Sequence, residues 1–404
     1  MKIIVLKFGG TSVGTVDRIK KVANIITSYI KKKYKVIVVS SAMSGVTNDL
    51  IRKSEKISNN FDIQELDVLL STGEQIACSL LAGRLRHLGY SSRSWLSWQI
   101  PIITSGDYNS SRIININKSK IHKYLKSNGI PIITGFQGIN NNNRVTTLGR
   151  GGSDTSAIMV AKFFKANKCI IYTDVDGVMT TDPKVYNKAK KIKVISYEEM
   201  LEMSSLGSKV MQSSSVQEAR LNRIDVAVKS SFQNKSGTLI TKRKNIINNK
   251  IITGVSSTKN DAKITLIGVK DKPGIAASIF KPLSDKNINV DMVVQNISSN
   301  GKETDLTFTI KSGDLNKTRK LIKLNKKINF KKMKVDKNVS KVSIIGVGMI
   351  TTPGVTYRMF QALSQKKINI MVISTSEIKI SVLISKRHLI KAVAALHKEF
   401  RLNN

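Results

Sequence analysis

The chain begins, after Met1-Lys2, with Ile3-Ile4-Val5-Leu6-Lys7-Phe8, followed at once by Gly9-Gly10-Thr11-Ser12. Ile3 to Phe8 are apolar except for Lys7 and read as a buried strand. Two glycines directly after a strand let backbone N–H groups approach a bound phosphate, and a helix beginning near Thr15 adds its dipole. The lysine at the strand's end supplies a fixed positive charge. Taken alone, the same residues also allow a plain Gly-Gly turn. Working outward, Ile19, Val22, Ile26 and Ile30 give a helical stripe over residues 17–33, and residues 36–39 form a second strand. Leu66, Leu69, Leu70, Ile76, Leu80 and Leu81 mark a long helix over 65–87. Residues 130–135, 170–173 and 226–231 read as further strands, and Asn141-Asn142-Asn143 marks a hairpin within 140–147. Strands alternating with helices predict an α/β fold with a mostly parallel central sheet covered on both faces.

A length of 404 residues exceeds one ordinary core and predicts two or three domains. Cys78 and Cys169 stand alone in apolar runs, which gives neither a disulfide framework nor a metal spacing and agrees with a reducing compartment. The first residues lack a signal-peptide pattern and no apolar run is long enough to span a membrane, so the expected location is cytoplasmic. The net charge of +40 raises the question of nucleic acid. The lysines are spread along the chain among Ile and Asn, however, and no basic stripe carries interleaved aromatics, so they read as solvated surface. No nucleic-acid or membrane partner is expected.

Three further segments carry chemistry. Gly149-Arg150-Gly151-Gly152-Ser153-Asp154-Thr155-Ser156 opens an apolar helix expected from about Ser156. An arginine and a run of N–H donors at a helix start suit a carboxylate or a phosphate. Ser153 or Asp154 as a simple helix cap is the competing reading, and it leaves Arg150 and three glycines unaccounted for. Tyr172-Thr173-Asp174-Val175-Asp176-Gly177 ends a strand and leads into Thr180-Thr181-Asp182-Pro183. Its two aspartates resemble the start of a calcium loop, but the glutamate such a loop requires is missing, so no metal site is expected. Gly207-Ser208-Lys209 presents a second lysine in a turn. The histidines (His87, His122, His388 and His397) lie outside these segments and are expected on exposed helix faces. No nucleophile–base pair occurs, which suits phosphoryl transfer to a carboxylate: the acceptor is already ionised, and the task is to bring two anions together.

The last third contains an internal repeat. Residues 263–269 match 341–347, Asp271-Lys272-Pro273-Gly274 matches Thr351-Thr352-Pro353-Gly354, and residues 287–290 match 367–370. A period of about 80 residues suits a duplicated small domain. The first copy reads strand, helix (273–286), strand (290–297), strand (303–310), helix (314–323), strand (328–335), a ferredoxin-like βαββαβ order. The second copy ends after its helix over 386–400 and lacks a fourth strand. The apolar stretch 251–256 is expected to supply it, which makes the first copy an insertion within the second. The expected domains are 1–245, 263–338, and 250–258 with 341–404.

Taken in order, Lys7-Phe8-Gly9-Gly10-Thr11-Ser12, Ser71-Thr72-Gly73-Glu74, Gly135-Phe136-Gln137-Gly138, the segment 146–154 and Thr173 to Gly177 resemble the aspartate kinases, and the two C-terminal copies resemble ACT domains. The resemblance covers nearly the whole chain. It implies an amino-acid kinase fold in which ATP, with Mg²⁺ held mainly by the phosphates, meets aspartate over the C-terminal strand ends. Lys7 would stabilise the transferring phosphoryl group, with Gly9 and Gly10 donating N–H groups, and Asp154 would orient the lysines. Phe8, Thr173, Asp174, Met179, Thr180, Thr181, Asp182, Pro183, Lys184 and Lys209 would hold the nucleotide, Lys209 also serving catalysis. Ser41, Thr47, Glu74, Arg150, Gly151, Gly152 and Ser153 would hold aspartate, Glu74 taking its ammonium and Arg150 its α-carboxylate. Asp271, Gly274, Ala276, Asn289, Asp291 and Gln295 would bind lysine, threonine or both between ACT domains of a homodimer. No dehydrogenase segment follows Asn404, which disfavours a bifunctional enzyme. A kinase for glutamate or an N-acetylated amino acid is disfavoured by Glu74 and the tandem copies. A non-enzymatic amino-acid sensor is disfavoured by Lys7, Asp154 and Lys209.

Overall fold

The computed structural model describes residues 2–207, 210–246, 250–297, 303–325 and 328–403. They divide into two compact units, Met1–Val178 with Lys191–Asn248, and Met179–Lys190 with Asn249–Asn404. The first unit runs β1 (Ile3–Phe8), α1 (Val16–Lys31), β2 (Lys35–Ser40), α2 (Val46–Ile57), α3 (Ile63–His87), β3 (Ser92–Trp95), β4 (Ile102–Thr104), β5 (Ile113–Ile116), α4 (Ser119–Lys126), β6 (Ile130–Thr134), β7 (Gln137–Ile139), β8 (Val145–Thr147), α5 (Gly152–Phe163), β9 (Lys168–Thr173), β10 (Val194–Ser196), α6 (Tyr197–Ser205), α7 (Ser213–Asn222), β11 (Val226–Ser230) and β12 (Thr238–Thr241). Eight strands form one sheet in the order β10-β12-β11-β9-β1-β2-β6-β3, and only β11 and β12 pair antiparallel.

Every residue of β1 is buried, as a central strand covered on both faces requires. Alternate side chains point to opposite faces. Ile4, Leu6 and Phe8 pack with Ile19, Val22 and Ile26 of α1 and with Ala77, Leu81 and Leu85 of α3. Lys7 therefore projects from the other face, where Asp154 of α5 meets it. A smaller sheet, β5-β4-β7-β8, carries the hairpin expected around the asparagines. Asn140 Oδ1 closes it by accepting N–H bonds from Asn142 and Arg144, each at 3.0 Å.

Two helices differ from their expected form. On α3, Ile76 and Leu80 are 50% and 44% exposed, while the buried face carries Asp67, Ser71, Gly73 and Glu74. Close approach sets this rotation: a Cβ on Gly73 would lie 2.8 Å from Ala42 Cβ. Helix α5 begins at Gly152, about one turn before Ser156, because Gly151 caps it with a left-handed φ of 76°.

The second unit runs β13 (Gly254–Lys270), α8 (Ile275–Ser284), β14 (Val290–Ile297), β15 (Glu303–Lys311), α9 (Leu315–Leu324), β16 (Lys332–Ile345), α10 (Val355–Ser364), β17 (Ile370–Ser376), β18 (Lys379–Ser385) and α11 (Leu389–Glu399). Its sheet, β14-β15-β13-β16-β18-β17, is antiparallel throughout. β13 and β16 each join two stretches that read as separate strands in the sequence. Neither contains Pro or Gly between residues 255 and 267 or 332 and 345, so polar residues alone do not break them. Gly254 to Thr258 pair with Ile345 to Lys341, and the register shifts around Asp261 before β13 pairs with the first half of β16. Asp261, nearly buried, accepts from Lys311 Nζ at 2.8 Å at that shift.

Each copy has its own core. One is built from Ile264, Leu266, Ile279, Leu283 and Phe308, the other from Val342, Ile344, Met359, Val382 and Leu396. Residues 179–190 belong to this second unit, with Val185 and Tyr186 packed into the latter core. The expectation of exposed histidines is met by His87 alone; His122 and His388 are half-buried and His397 is fully buried. His397 lies on the inner face of α11, where its ring nitrogens find partners.

Candidate active site

The parallel strands β1, β2, β6, β9 and β11 all end on one side of the first unit's sheet, where open α/β sheets place their ligands. A cleft of ≈ 790 Å³ lies there, lined by Lys7, Gly10, Ser41, Thr47, Glu74, Arg150, Gly151, Gly152, Ser153 and Asp154 among others. Lys7 Nζ stands 2.6 Å from Asp154 Oδ1, and both side chains are about nine-tenths buried. The pair holds the lysine's charge at the cleft wall. Of the two glycines after β1, Gly9 has its N–H committed to Tyr172 O at 3.1 Å, whereas no partner for the N–H of Gly10 occurs among the described residues. Gly9 thus ties β1 to β9, and the Gly10 N–H is left as a donor at the cleft. A Cβ on Gly10 would come within 2.9 Å of Ala42 O, so only glycine lets this loop close on the one after β2.

Glu74 reaches the cleft from α3. Its Oε1 accepts the Ala42 N–H at 2.9 Å, and its Oε2 is buried without a hydrogen-bond partner among the described residues. Burial pushes the carboxyl up to about 8, against the pull of the Ala42 N–H and the Lys7 charge. A buried carboxylate with one oxygen unsatisfied is a socket for a cation. Arg150 is exposed and lacks a side-chain partner among the described residues, which leaves its planar fork available to a carboxylate. The first turns of α2 and α5, with Thr47 and Ser153, bring two positive helix ends to the same cleft.

Several supports escape a reading of the sequence. Asp67, fully buried on α3, accepts the Thr147 N–H at 2.8 Å, the Thr147 hydroxyl at 2.7 Å and the Asn109 N–H at 2.9 Å. It thereby fixes the end of β8, from which the Gly149–Asp154 segment departs, and the loop that brings Asn109 to the cleft. Gln137 Nε2 donates to Ser71 O at 2.9 Å and ties the same helix to β7. Phe136 and Gln212 also line the cleft. Phe136 has one advance signal, the Gly-Phe-Gln-Gly motif, which names it without placing it, and Gln212 has none.

Other expected residues lie elsewhere. Phe8 is buried and stacks on Tyr172, with ring centroids 5.0 Å apart. Thr173 is the last residue of β9 and Asp174 follows it, with the Thr173 hydroxyl donating to Asp174 Oδ1 at 3.1 Å. Met179, Thr180, Thr181, Asp182, Pro183 and Lys184 sit in the second unit, where Thr180 and Thr181 are buried and the next three residues exposed. Lys209 lies outside the described residues. In the first C-terminal copy, Gly274 starts α8 with a φ of 87°, Ala276 is half-buried, and Asp271, Asn289, Asp291 and Gln295 are exposed. Asp291 is ion-paired with the buried Lys341, and Asp271 has no ion-pair partner among the described residues. No group of three or more His, Cys, Asp or Glu able to hold a metal occurs among the described residues.

The model of the amino acid kinase family matches residues 2–230, and that of the ACT domain matches 264–324 and 342–400. An aspartokinase of Pseudomonas aeruginosa is 45% identical over 406 residues, spanning 100% of this chain and 98% of that protein. An aspartate kinase of Stutzerimonas stutzeri is 44% identical over 405 residues with the same coverage of each. The structure of E. coli aspartokinase III in complex with aspartate and ADP superposes with a TM-score of 0.79 at 25% identity, covering 98% of this chain and 99% of that one.

Proposed function

The chain belongs to the amino acid kinase family, and within it to the aspartate kinases, and on that premise we propose that it transfers the γ-phosphoryl group of ATP to the side-chain carboxylate of L-aspartate. The product is 4-phospho-L-aspartate, at the head of the branch leading to lysine, threonine and methionine. The observation that carries this reading is the Lys7–Asp154 pair in one cleft with Glu74 and Arg150. The acceptor carboxylate is ionised at neutral pH, so the barrier is repulsion between two anions, and fixed positive charge lowers it. Lys7 supplies that charge, Gly10 adds an N–H, and Asp154 keeps the ammonium aimed into the cleft rather than removing a proton. Arg150 forks onto the α-carboxylate, Glu74 takes the α-ammonium, and Ser41, Thr47, Gly151, Gly152 and Ser153 offer hydrogen bonds around them. Demand for a free ammonium at Glu74 excludes an N-acetylated substrate.

Thr173, Asp174, the turn 179–184 and Lys209 hold the nucleotide in this reading. Mg²⁺, carried mainly by the phosphates, neutralises charge on the transferring group. The first ACT copy takes lysine, threonine or both at a contact between copies in a homodimer. The N-terminus of α8 at Gly274 meets the effector's carboxylate. Because Asp291 is already paired with Lys341, Asp271 is the carboxylate left for the ammonium. No described helix is long and apolar enough to cross a membrane, and the setting proposed with this activity is cytoplasmic. The test is a coupled assay of ADP release with aspartate, glutamate and N-acetylglutamate in turn. Release with aspartate alone is expected, and equal release with glutamate sinks the assignment.

A further inference from the structure

We propose that His397 is a positioning residue for the nucleotide, acting through the hydroxyl of Thr180, an inference that rests on the assignment of residues 179–184 to ATP. Residues 178–192 form a ribbon: Ile192 N–H donates to Val178 O and Thr180 N–H to Lys190 O, each at 2.8 Å. The ribbon's tip is a tight turn in which Asp182 Oδ1 accepts the Lys184 N–H at 2.8 Å, and Asp182 O accepts from Val185 at 2.9 Å and Tyr186 at 3.0 Å. Asp182, Pro183 and Lys184 are exposed at that tip, where a ligand can reach them.

Thr180 anchors the tip. Its carbonyl accepts the Val255 N–H of β13 at 2.7 Å, and its Oγ1 accepts the Lys190 N–H at 2.9 Å and lies 2.8 Å from His397 Nε2. The other ring nitrogen, Nδ1, lies 2.6 Å from Asn403 Oδ1. An amide oxygen only accepts, so Nδ1 carries the proton and Nε2 receives the Thr180 hydroxyl. Burial lowers the imidazole's pKa, the nearby Lys250 charge acts in the same direction, and both keep the ring in the neutral form this arrangement needs. Tyr186 packs on the ring at 4.8 Å between centroids. Thr181 is buried as well, but its hydroxyl has no partner among the described residues, so side-chain anchorage before Asp182 rests on Thr180. A histidine in the regulatory half thus sets the backbone from which the exposed tip is presented. It touches neither substrate nor reacting atoms, which makes it a positioning residue rather than a catalytic one.

The test uses paired variants of the full-length enzyme, with KM for ATP, KM for aspartate and Tm measured for each. His397→Gln keeps an acceptor near the position of Nε2, His397→Asn keeps only the contact toward Asn403, and both lose the packing on Tyr186. Thr180→Val removes the hydroxyl at constant shape, and Thr180→Ser keeps it. Loss of one buried hydrogen bond predicts that His397→Asn and Thr180→Val raise KM for ATP about tenfold, with His397→Gln and Thr180→Ser staying within about twofold. KM for aspartate should hold within about twofold in all four. The proposal is overturned if KM for ATP follows Tm instead, with the Gln and Asn variants equally impaired, or if Thr180→Val leaves it unchanged. Lys184→Ala separates this failure from that of the underlying assignment. A raised KM for ATP in Lys184→Ala beside an unchanged Thr180→Val removes the role of His397 alone. No change in either removes the nucleotide role of the turn.

Discussion

Glu74→Gln tests whether the buried carboxylate is the ammonium socket. Burial holds the Glu74 carboxyl at about 8 in the absence of substrate, with Oε2 unsatisfied. An ammonium placed against that oxygen stabilises the ionised form and lowers the pKa in the complex, so binding below about pH 8 must release a proton. Affinity for aspartate therefore rises with pH and levels off above about pH 8. If the bound pKa lies well below 6, the two-state titration predicts that KM for aspartate falls about fifty-fold between about pH 6 and pH 8. Gln cannot titrate and forms no ionic hydrogen bond, which costs about 1.5–3 kcal/mol, or roughly ten- to a hundred-fold in KM at pH 8. The penalty should shrink toward pH 6, where the wild-type side chain is itself mostly neutral. Initial rates at saturating ATP across this range measure both effects. Parallel pH profiles for wild type and Glu74→Gln refute the assignment, because the titrating group then lies elsewhere.

Lys7→Ala should lower kcat by about 10²-fold or more, the scale for losing a preorganised charge, with KM for ATP changed by only a few-fold. Single-turnover rates decide this, and a kcat within a few-fold of wild type reduces Lys7 to the end of a strand. Arg150→Lys should raise KM for aspartate about tenfold through loss of the bidentate fork, leaving KM for ATP steady; equal shifts in both constants contradict the role. Gly73→Ala forces a Cβ within 2.8 Å of Ala42 Cβ and 3.2 Å of Val46 Cγ1. It should cost about 1–3 kcal/mol of stability by denaturant unfolding and raise KM for aspartate by moving Glu74. Lysine, threonine or both at millimolar concentration should inhibit, and Asp271→Ala or Gln295→Ala should relieve inhibition with little change in uninhibited turnover. Insensitivity of the wild-type enzyme to both amino acids would falsify the effector reading.

The alternation of strand and helix was legible because apolar periodicity reports burial directly, and β1, α1 and β6 follow it closely. Period two along β1 even separates Lys7 from Ile4, Leu6 and Phe8. What periodicity misreads is polar burial. Asp67 and Glu74 lie on the inner face of α3, while Ile76 and Leu80, apolar and on the same helix, face outward. Asp67 is satisfied by Thr147, 80 residues away, and nothing local to either residue announces that bond. His397 is the same case, since Thr180 lies 217 residues before it. The long strands β13 and β16 escaped for the opposite reason: polar residues on an antiparallel sheet with a solvated face look like breaks when read in one dimension. Gly9 shows the limit of motif reading. Two adjacent glycines look alike in sequence, and only the pairing of β1 with β9 distinguishes the N–H already spent on Tyr172 from that of Gly10.

The most direct test of the central claim is to identify the bond that is made. An acyl phosphate reacts with hydroxylamine to give a hydroxamate, whereas a phosphorylated hydroxyl or amine does not. Incubating the enzyme with ATP, Mg²⁺, aspartate and hydroxylamine, followed by mass spectrometry, should yield aspartate β-hydroxamate in amounts matching the ADP released. Lys7→Ala should yield almost none. ADP release without hydroxamate, or hydroxamate formed equally well from glutamate, would contradict the transfer of phosphate to the aspartate side chain.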